Sequence, residues 1–343
     1  MRFINRDLGD AEEIKIIPLS DVHVGERGFN EKILDSVIKM ALENDNVYIV
    51  LLGDLINNAI KNSKSDVYGD MLTPHDQVNY IVDKLKPIKD KILGCVSGNH
   101  EDRTSREVGV DLTEIIATLL EIPYDSAGIV YQLKYGSFGS GKNNNIIYTT
   151  HGFGGAGTKG SKANKLQNLS NLCLADLYIM GHIHDIITFS DCVYVPDTRH
   201  NKMVLKKRTY LSTGSCVDYG GYAEKMLLRP GSSGYPLVSL YKGQVNVLSW
   251  QFLAPCVKWR CNIFAQKKNC QNKYIRSNKK MKNHEIVLSE DQIDEIIYGL
   301  RTRYHQEIYA ENKSEAEWID ELIENIKMQV GRKCKYEIKV FWQ

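Results

Sequence analysis

Five short stretches each close an apolar run with side chains able to hold a cation. They carry Asp21 and His23 in SDVHVG, Asp54 in LLGD, Asn99 and His100 in GNHE, His151 in THGFGG, and His182 and His184 in GHIH. Together they supply two carboxylates, four imidazoles suited to ligation, one amide oxygen and a spare histidine. Such mixed nitrogen and oxygen donors suit borderline divalent ions such as manganese, iron or zinc. Calcium alone favours an oxygen-rich set, and a structural zinc needs only four ligands. Two ions bridged by a carboxylate and a hydroxide use every donor without surplus.

Each fragment alone has a plainer reading. A polar strand end accounts for SDVHVG, an ordinary turn for Gly53–Asp54, and a glycine-rich loop for THGFGG. GHIH is harder to dismiss, because two close histidines in a core would each need a partner. The combination carries the weight. The pairs Asp21/His23 and His182/His184 face one side if their strands persist that far, and stay close if the chain turns instead.

The elements that must position these groups are legible around them. IKIIPLSDVH, VYIVLLGD, KILGCVSGNH, NIIYTTHG and DLYIMGHIH read as central strands delivering chemistry at their carboxyl ends, where layered α/β proteins place ligands. Thr73, Pro74 and Asp76 mark a helix start before Val78, Ile81, Val82 and Leu85; Asp111 and Glu114 mark another before IIATLL. Asn30 to Leu42 reads as a third helix. From Ile129 onward, IVYQLKYG, RTYLSTGS, YPLVSLYKG and VNVLSWQFL predict more strands without long crossovers, hence a second, partly antiparallel sheet.

The chain of 343 residues can bury a large core, and its net charge of +2 says little about partners. The distribution says more: nine Lys or Arg and no Asp or Glu lie between Lys258 and Lys282, interleaved with Trp259, Phe264 and Tyr274. Ser289/Gln292 and Ser314/Glu317 predict two terminal helices, a surface for a second copy or a protein partner. No apolar run reaches the roughly 20 residues a membrane-spanning helix needs. The start lacks the apolar segment of a secretory leader, so a cytoplasmic location and free, mostly buried cysteines are expected. No C-x-x-C pair occurs among the eight cysteines.

The ordered pieces DVH, GD, GNHE, H and GHIH resemble the calcineurin-like metallophosphoesterase family over about residues 13–250. The resemblance implies a mixed α/β, four-layer sandwich of two mixed sheets flanked by helices, here with a C-terminal helical extension. It implies one metal on Asp21, His23, Asp54 and His184, and another on Asp54, Asn99, His151 and His182. Asp54 would bridge the two. His100 would face substrate as a catalytic group, and Arg103 would assist phosphate binding or make a solvent salt bridge. Mn2+ is the leading cofactor, with Fe, Zn, Ni or Mg as alternatives. The expected activity is phosphoester hydrolysis by a metal-bridging hydroxide, with nucleic acid as substrate. A phosphomonoesterase and a non-catalytic scaffold are the rival readings. Domain bounds are expected at 1–255 for the catalytic body, 256–284 for a basic linker or edge, and 285–343 for a small helical module.

Overall fold

The computed structural model describes residues 1–248, apart from 64, 66, 139–140, 156, 221–223 and 225–229, together with 285–286 and 338–339. The first half runs β1 (Arg2–Asp7), β2 (Glu13–Leu19), α1 (Glu31–Glu43), β3 (Val47–Leu51), α2 (Pro74–Leu85), β4 (Ile92–Val96), α3 (Asp102–Val108), α4 (Leu112–Leu120) and β5 (Tyr124–Asp125). The second half runs β6 (Ile129–Phe138), β7 (Gly141–Thr150), α5 (Lys159–Asn168), β8 (Leu177–Met180), β9 (Ile187–Asp197), β10 (Lys202–Ser212), β11 (Leu237–Tyr241) and β12 (Gln244–Leu248).

Two six-stranded sheets result, ordered β1-β6-β7-β8-β10-β9 and β12-β11-β2-β3-β4-β5. Both are mixed. In the first, β7, β8 and β10 run parallel, while β6 and β9 pair antiparallel with β7 and β10. In the second, β2 to β5 run parallel, and the β11–β12 hairpin closes the edge antiparallel to β2.

Strand periodicity sorts the core. Ile14, Ile16, Val50 and Leu52 of one sheet face Ile147, Leu177, Ile179 and Leu211 of the other, forming the layer between the sheets. The alternate residues, Ile17, Leu19, Ile49 and Leu51, meet α1, α2 and α4 on the outer face. Tyr148, Tyr178 and Met180 turn the other way, toward Leu166 of α5 and Leu169 just beyond it. Each fully buried Leu or Ile side chain contributes about 1.5–3 kcal/mol. The layers are helices, sheet, sheet and helix, the four-layer α/β sandwich of two mixed sheets expected from the sequence.

The helix-start signals act as predicted. Thr73 Oγ1 accepts from the Asp76 amide at 3.3 Å with Pro74 in the first turn, and Asp111 Oδ1 accepts from the Thr113 and Glu114 amides at 3.0 and 3.1 Å. Asn30 precedes α1 without a side-chain cap, so that helix rests on its buried Ile33, Leu34, Val37, Ile38 and Ala41.

The chain divides into two units, Met1–Cys256 and Val257–Gln343. In the second, β13 (Glu285–Ile286) pairs antiparallel with β14 (Ile338–Lys339). The basic interval 258–282 and the two expected terminal helices lie outside the described residues. Cys95, Cys173, Cys192 and Cys216 are free; only Cys95 and Cys216 are buried, whereas Cys192 is exposed. No helix of the described residues is long and apolar enough to cross a membrane.

Candidate metal centre

The carboxyl ends of β2, β3 and β4 in one sheet and of β7 and β8 in the other bring every proposed ligand to one place. Each strand stops within three residues of its first ligand. The alternative in which the chain turns is the one observed: strand geometry does not persist through Asp21/His23 or His182/His184. Asp21 (φ 52°), His23 (52°), Asp54 (50°), His182 (67°) and His184 (47°) all occupy the left-handed region. Asp and His tolerate that region better than most residues, yet it costs an L-residue about 1–2 kcal/mol. Backbone strain is thus concentrated on the donor-bearing residues, a clustering common at ligand and active sites.

Neighbouring loops are stitched together. The Asp21 amide donates to Gly53 O and the His23 amide to Asp54 O, both at 3.0 Å, and the His182 amide donates to Asp21 Oδ2 at 2.9 Å. Two glycines permit the close approach of the Asp54 and Asn99 loops. A Cβ on Gly53 would lie 2.7 Å from the Ser97 carbonyl carbon and closer still to the Gly98 backbone. One on Gly98 would lie 2.6 Å from Glu101 Oε2 and closer to the Asp54 amide and Oδ1. Real Cβ atoms essentially never come within 3.0 Å of such neighbours.

Three clusters have donor atoms within 4.8 Å of one another: Asp21/His23/His184, His23/Asp54/His100 and Asp54/His151/His182. In the first, His184 Nε2 lies 2.9 Å from Asp21 Oδ1 and 3.3 Å from His23 Nε2. Asp21 Oδ1 is buried, and this approach of His184 gives it a polar contact. In the last, His151 Nε2 lies 3.0 Å from Asn99 Oδ1, 3.3 Å from His182 Nδ1 and 3.3 Å from Asp54 Oδ2. Donors about 2.1 Å from a common ion stand about 3.0–3.4 Å apart, so these spacings fit shared coordination.

Hydrogen bonds fix which lone pairs face inward. A carbonyl only accepts, so His151 Nδ1 donates to Leu52 O at 2.6 Å and its Nε2 is left pointing at acceptors. Asp54 Oδ1 accepts the His100 amide at 2.8 Å, which leaves Oδ2 toward both histidine groups, 3.3 Å from His151 Nε2 and 3.9 Å from His23 Nε2. The donor set therefore fits two borderline cations sharing Asp54. Among the described residues His23 Nδ1 has no hydrogen-bond partner to orient its ring. Cys216 adds no thiolate: burial pushes its thiol up to about 12, beside the Tyr235 hydroxyl that donates to Sγ at 3.1 Å.

Electrostatics agree with a cation-binding cluster. Burial pushes Asp21 and Asp54 upward, but the imidazoles outweigh it, His184 for Asp21 and His151 with His100 for Asp54, so both stay well below the usual carboxylate range. Burial pulls His151 down, yet the Asp54 carboxylate prevails and raises it to about 10. His184 is raised against burial by Asp21. His23 is lowered well below its ordinary value by burial and by His100, and His182 is lowered by burial and by His151.

His100 lies beside the ligands, with Nε2 3.8 Å from Asp54 Oδ2 and its ring 4.3 Å from that of His23. Its Nδ1 donates to Asn57 O at 2.8 Å, and its Nε2 accepts from Arg103 Nη2 at 2.9 Å. Arg103 Nη1 donates to Asn57 O at 3.0 Å and to Ser65 Oγ at 2.8 Å. Arg103 makes no ion pair among the described residues, so the salt-bridge reading gives way to a cation braced by neutral acceptors. The polar segment that follows Asp54 supports this pair: Asn57 O accepts from His100 and Arg103, and Asn58 Nδ2 donates to His100 O at 2.7 Å.

Sequence reasoning gives Glu101 no part beyond ending the loop or stabilising the helix that follows. It is fully buried and accepts the amides of Asp54 (3.0 Å), Leu55 (2.6 Å) and Ile56 (3.2 Å). Burial, then the Asp54 charge, pushes it up to about 7. No sequence pattern announces backbone partners so far upstream; an acidic residue directly after Asn99–His100 is the only signal. Of the other histidines, His75 contacts Asn79 and His200 contacts Asp197, whereas His284 and His305 lie outside the described residues.

No family model matches the chain, and no curated protein matches it. Among solved structures it is similar to a conserved uncharacterized protein of Streptococcus pneumoniae, described as a predicted phosphoesterase, at 15% identity, covering 68% of this chain and 87% of that one with TM-score 0.31. A Vps29 double mutant from Entamoeba histolytica shares 14% identity, covering 70% and 100% with TM-score 0.33. GAP50, the anchor in the inner membrane complex of Plasmodium, shares 10%, covering 68% and 83% with TM-score 0.33. Likeness this distant says nothing of reaction or substrate, which rest on the side chains above.

Proposed function

We propose that the chain hydrolyses phosphoesters at a dinuclear metal centre, as a phosphodiesterase or nuclease acting on DNA or RNA. The observation that carries the reading is Asp54 Oδ2, free of the bond that engages Oδ1 and turned toward both His151 and His23. Asp21, His23, Asp54 and His184 would hold one ion; Asp54, Asn99, His151 and His182 would hold the other. Mn2+ is the proposed metal, with Fe, Zn, Ni or Mg as alternatives. When bound, two such ions supply Lewis acidity and lower the pKa of water.

The chain's own groups do the remaining work. Asp21 and Asp54, held ionised, offset the charge of the ions. His100 carries its proton on Nδ1, so the nearest donor at its Nε2 is Arg103 Nη2–H. We assign the Arg103 cation to stabilising charge on the phosphoryl oxygens, with His100 holding its guanidinium in place. Protonation of the leaving oxygen by His100 would need a second ring proton, which burial and then Arg103 oppose, against the pull of Asp54. Support for a polymeric substrate is compositional: the acid-free basic stretch with Trp259, Phe264 and Tyr274. Phe153, two residues past His151 and 82% exposed, adds a ring on which a base can stack.

The test is hydrolysis by metal-free protein after adding manganese, offered single-stranded DNA, duplex DNA, RNA, a bis-aryl phosphodiester and a phosphomonoester. Cleavage of a polymer is expected. Turnover of the monoester alone would overturn the nuclease reading and leave the metal centre. Ion uptake without turnover of any substrate would leave a scaffold.

A further inference from the structure

We propose that α5 is the positioning helix of the metal centre, with Lys162 and Lys165 tethering the two loops that carry its later histidines. The inference rests on the two-ion reading above. Lys162 Nζ donates to Ile183 O at 3.1 Å and pairs with Asp185 Oδ2 at 3.2 Å. Ile183 sits between the ligands His182 and His184, and Asp185 follows them. Three residues along the helix, Lys165 Nζ donates to Phe153 O at 2.7 Å and Gly154 O at 2.6 Å, in the loop that leaves His151.

The placement is unusual for lysine. Positions 162, 165, 166 and 169 share one helical face. Leu166 and Leu169 on that face are buried in the outer core against Tyr178 and Met180. Lys162 is only 17% exposed, and Asp185 only 15%. A mostly buried ammonium is retained only where its donors are met, and here they are met by the ligand loops. The loops need such a tether, since His182 and His184 are left-handed and neither lies in a strand. The far side of the same loop is also held: Ser212 Oγ donates to Asp185 O at 2.5 Å, Ser232 Oγ to Asp185 Oδ1 at 3.2 Å, and the Ser232 amide to His184 O at 2.8 Å. Lys162 adds a hold on the same loop from α5, through Ile183 O and Asp185 Oδ2. The Thr158–Ser161 capping box fixes where α5 begins, and so where both lysines stand.

The tethers address different ions. Lys165 acts on the segment after His151, which belongs to the second ion only. Lys162 acts on the segment bearing His182 and His184, one ligand of each ion. The experiment is stepwise Mn2+ titration of apo wild type, Lys162→Met, Lys162→Arg, Lys165→Met and Asp185→Asn against a chelating dye, with melting temperature recorded alongside. Lys165→Met should weaken one of two binding steps by about 10–100-fold, the range for groups that orient metal ligands. Lys162→Met should weaken both steps by that amount, and Lys162→Arg should restore most of the loss. A purely structural helix would lower the melting temperature and leave both affinities at wild-type values, which would overturn the proposal while keeping the two-ion reading. If Lys162→Met does not fold, Asp185→Asn removes the ion pair and leaves Lys162 only Ile183 O, so both steps should still weaken, by less than in Lys162→Met, and wild-type affinities would overturn the proposal. Wild-type protein that takes up no ion would overturn both.

Discussion

Gly98→Ala separates the stability of the fold from the integrity of the centre. The added Cβ would sit 2.6 Å from Glu101 Oε2 and nearer still to the amide and Oδ1 of Asp54, against a practical floor of 3.0 Å. Asp54 must therefore retreat by about 0.7–1 Å to restore that floor, whereas metal sites tolerate about 0.2 Å. Backbone crowds it from the other side too, because Gly53 packs on the Gly98 backbone. Overpacking of this kind costs about 1–3 kcal/mol of stability. The effect on ions is larger in kind, since the displaced carboxylate serves both: each affinity should fall by at least about 100-fold, or about 2.7 kcal/mol. Gly109→Ala is the control. Gly109 has φ +72°, and a methyl group added there would meet nothing within 4 Å, so this variant should lose about 1–2 kcal/mol of stability and no metal. Urea denaturation of the apo proteins reads the first quantity, and competition with a chelating dye reads the second. A Gly98→Ala protein that binds two ions with wild-type affinity would refute the bridging role drawn for Asp54.

Three further outcomes follow from the same geometry. His100→Ala should retain two ions while kcat falls by about 100-fold or more; metal analysis with steady-state kinetics checks it, and loss of an ion would instead place His100 among the ligands, as its cluster with His23 and Asp54 allows. Glu101→Ala leaves three buried amides unpaired and should destabilise the protein by about 3–5 kcal/mol in urea, a loss below about 1 kcal/mol arguing against the tie. Uptake of Mn2+ should release protons, because His151 is held up to about 10 and its Nε2 must be bare to bind; affinity should rise by about tenfold per pH unit below that value. Calorimetry in buffers of different ionisation enthalpy counts the protons, and none released near pH 7 would contradict the assignment.

The strand cores and the groups at their ends are legible in the sequence because both leave local marks. An apolar run followed by Asp, Asn or His survives translation into β2, β3, β4, β7 and β8 with only the boundaries shifted. Helices with strong caps and faces, α2 and α4, are equally plain. By contrast α5 buries only Leu166 within its span, so its periodicity is too faint to read, and its lysines look like solvent residues. β9 alternates half-buried and exposed residues along an edge and carries Pro196, which hides it. The roles of Glu101 and of the Gly53–Gly98 approach depend on backbone groups dozens of residues away. Backbone has no side-chain identity, so the sequence cannot spell such partners.

The left-handed backbone at five ligands has a price tag that evolution cannot remove one residue at a time. Exchanging His23 or His182 for glycine would relax the main chain and remove a ring that burial and a neighbouring imidazole both disfavour in its charged form, so the ion-free fold should grow sturdier as it loses its purpose. Robustness and competence therefore pull in opposite directions at these positions, and the most heat-resistant variants of this chain should be found among its dead ones.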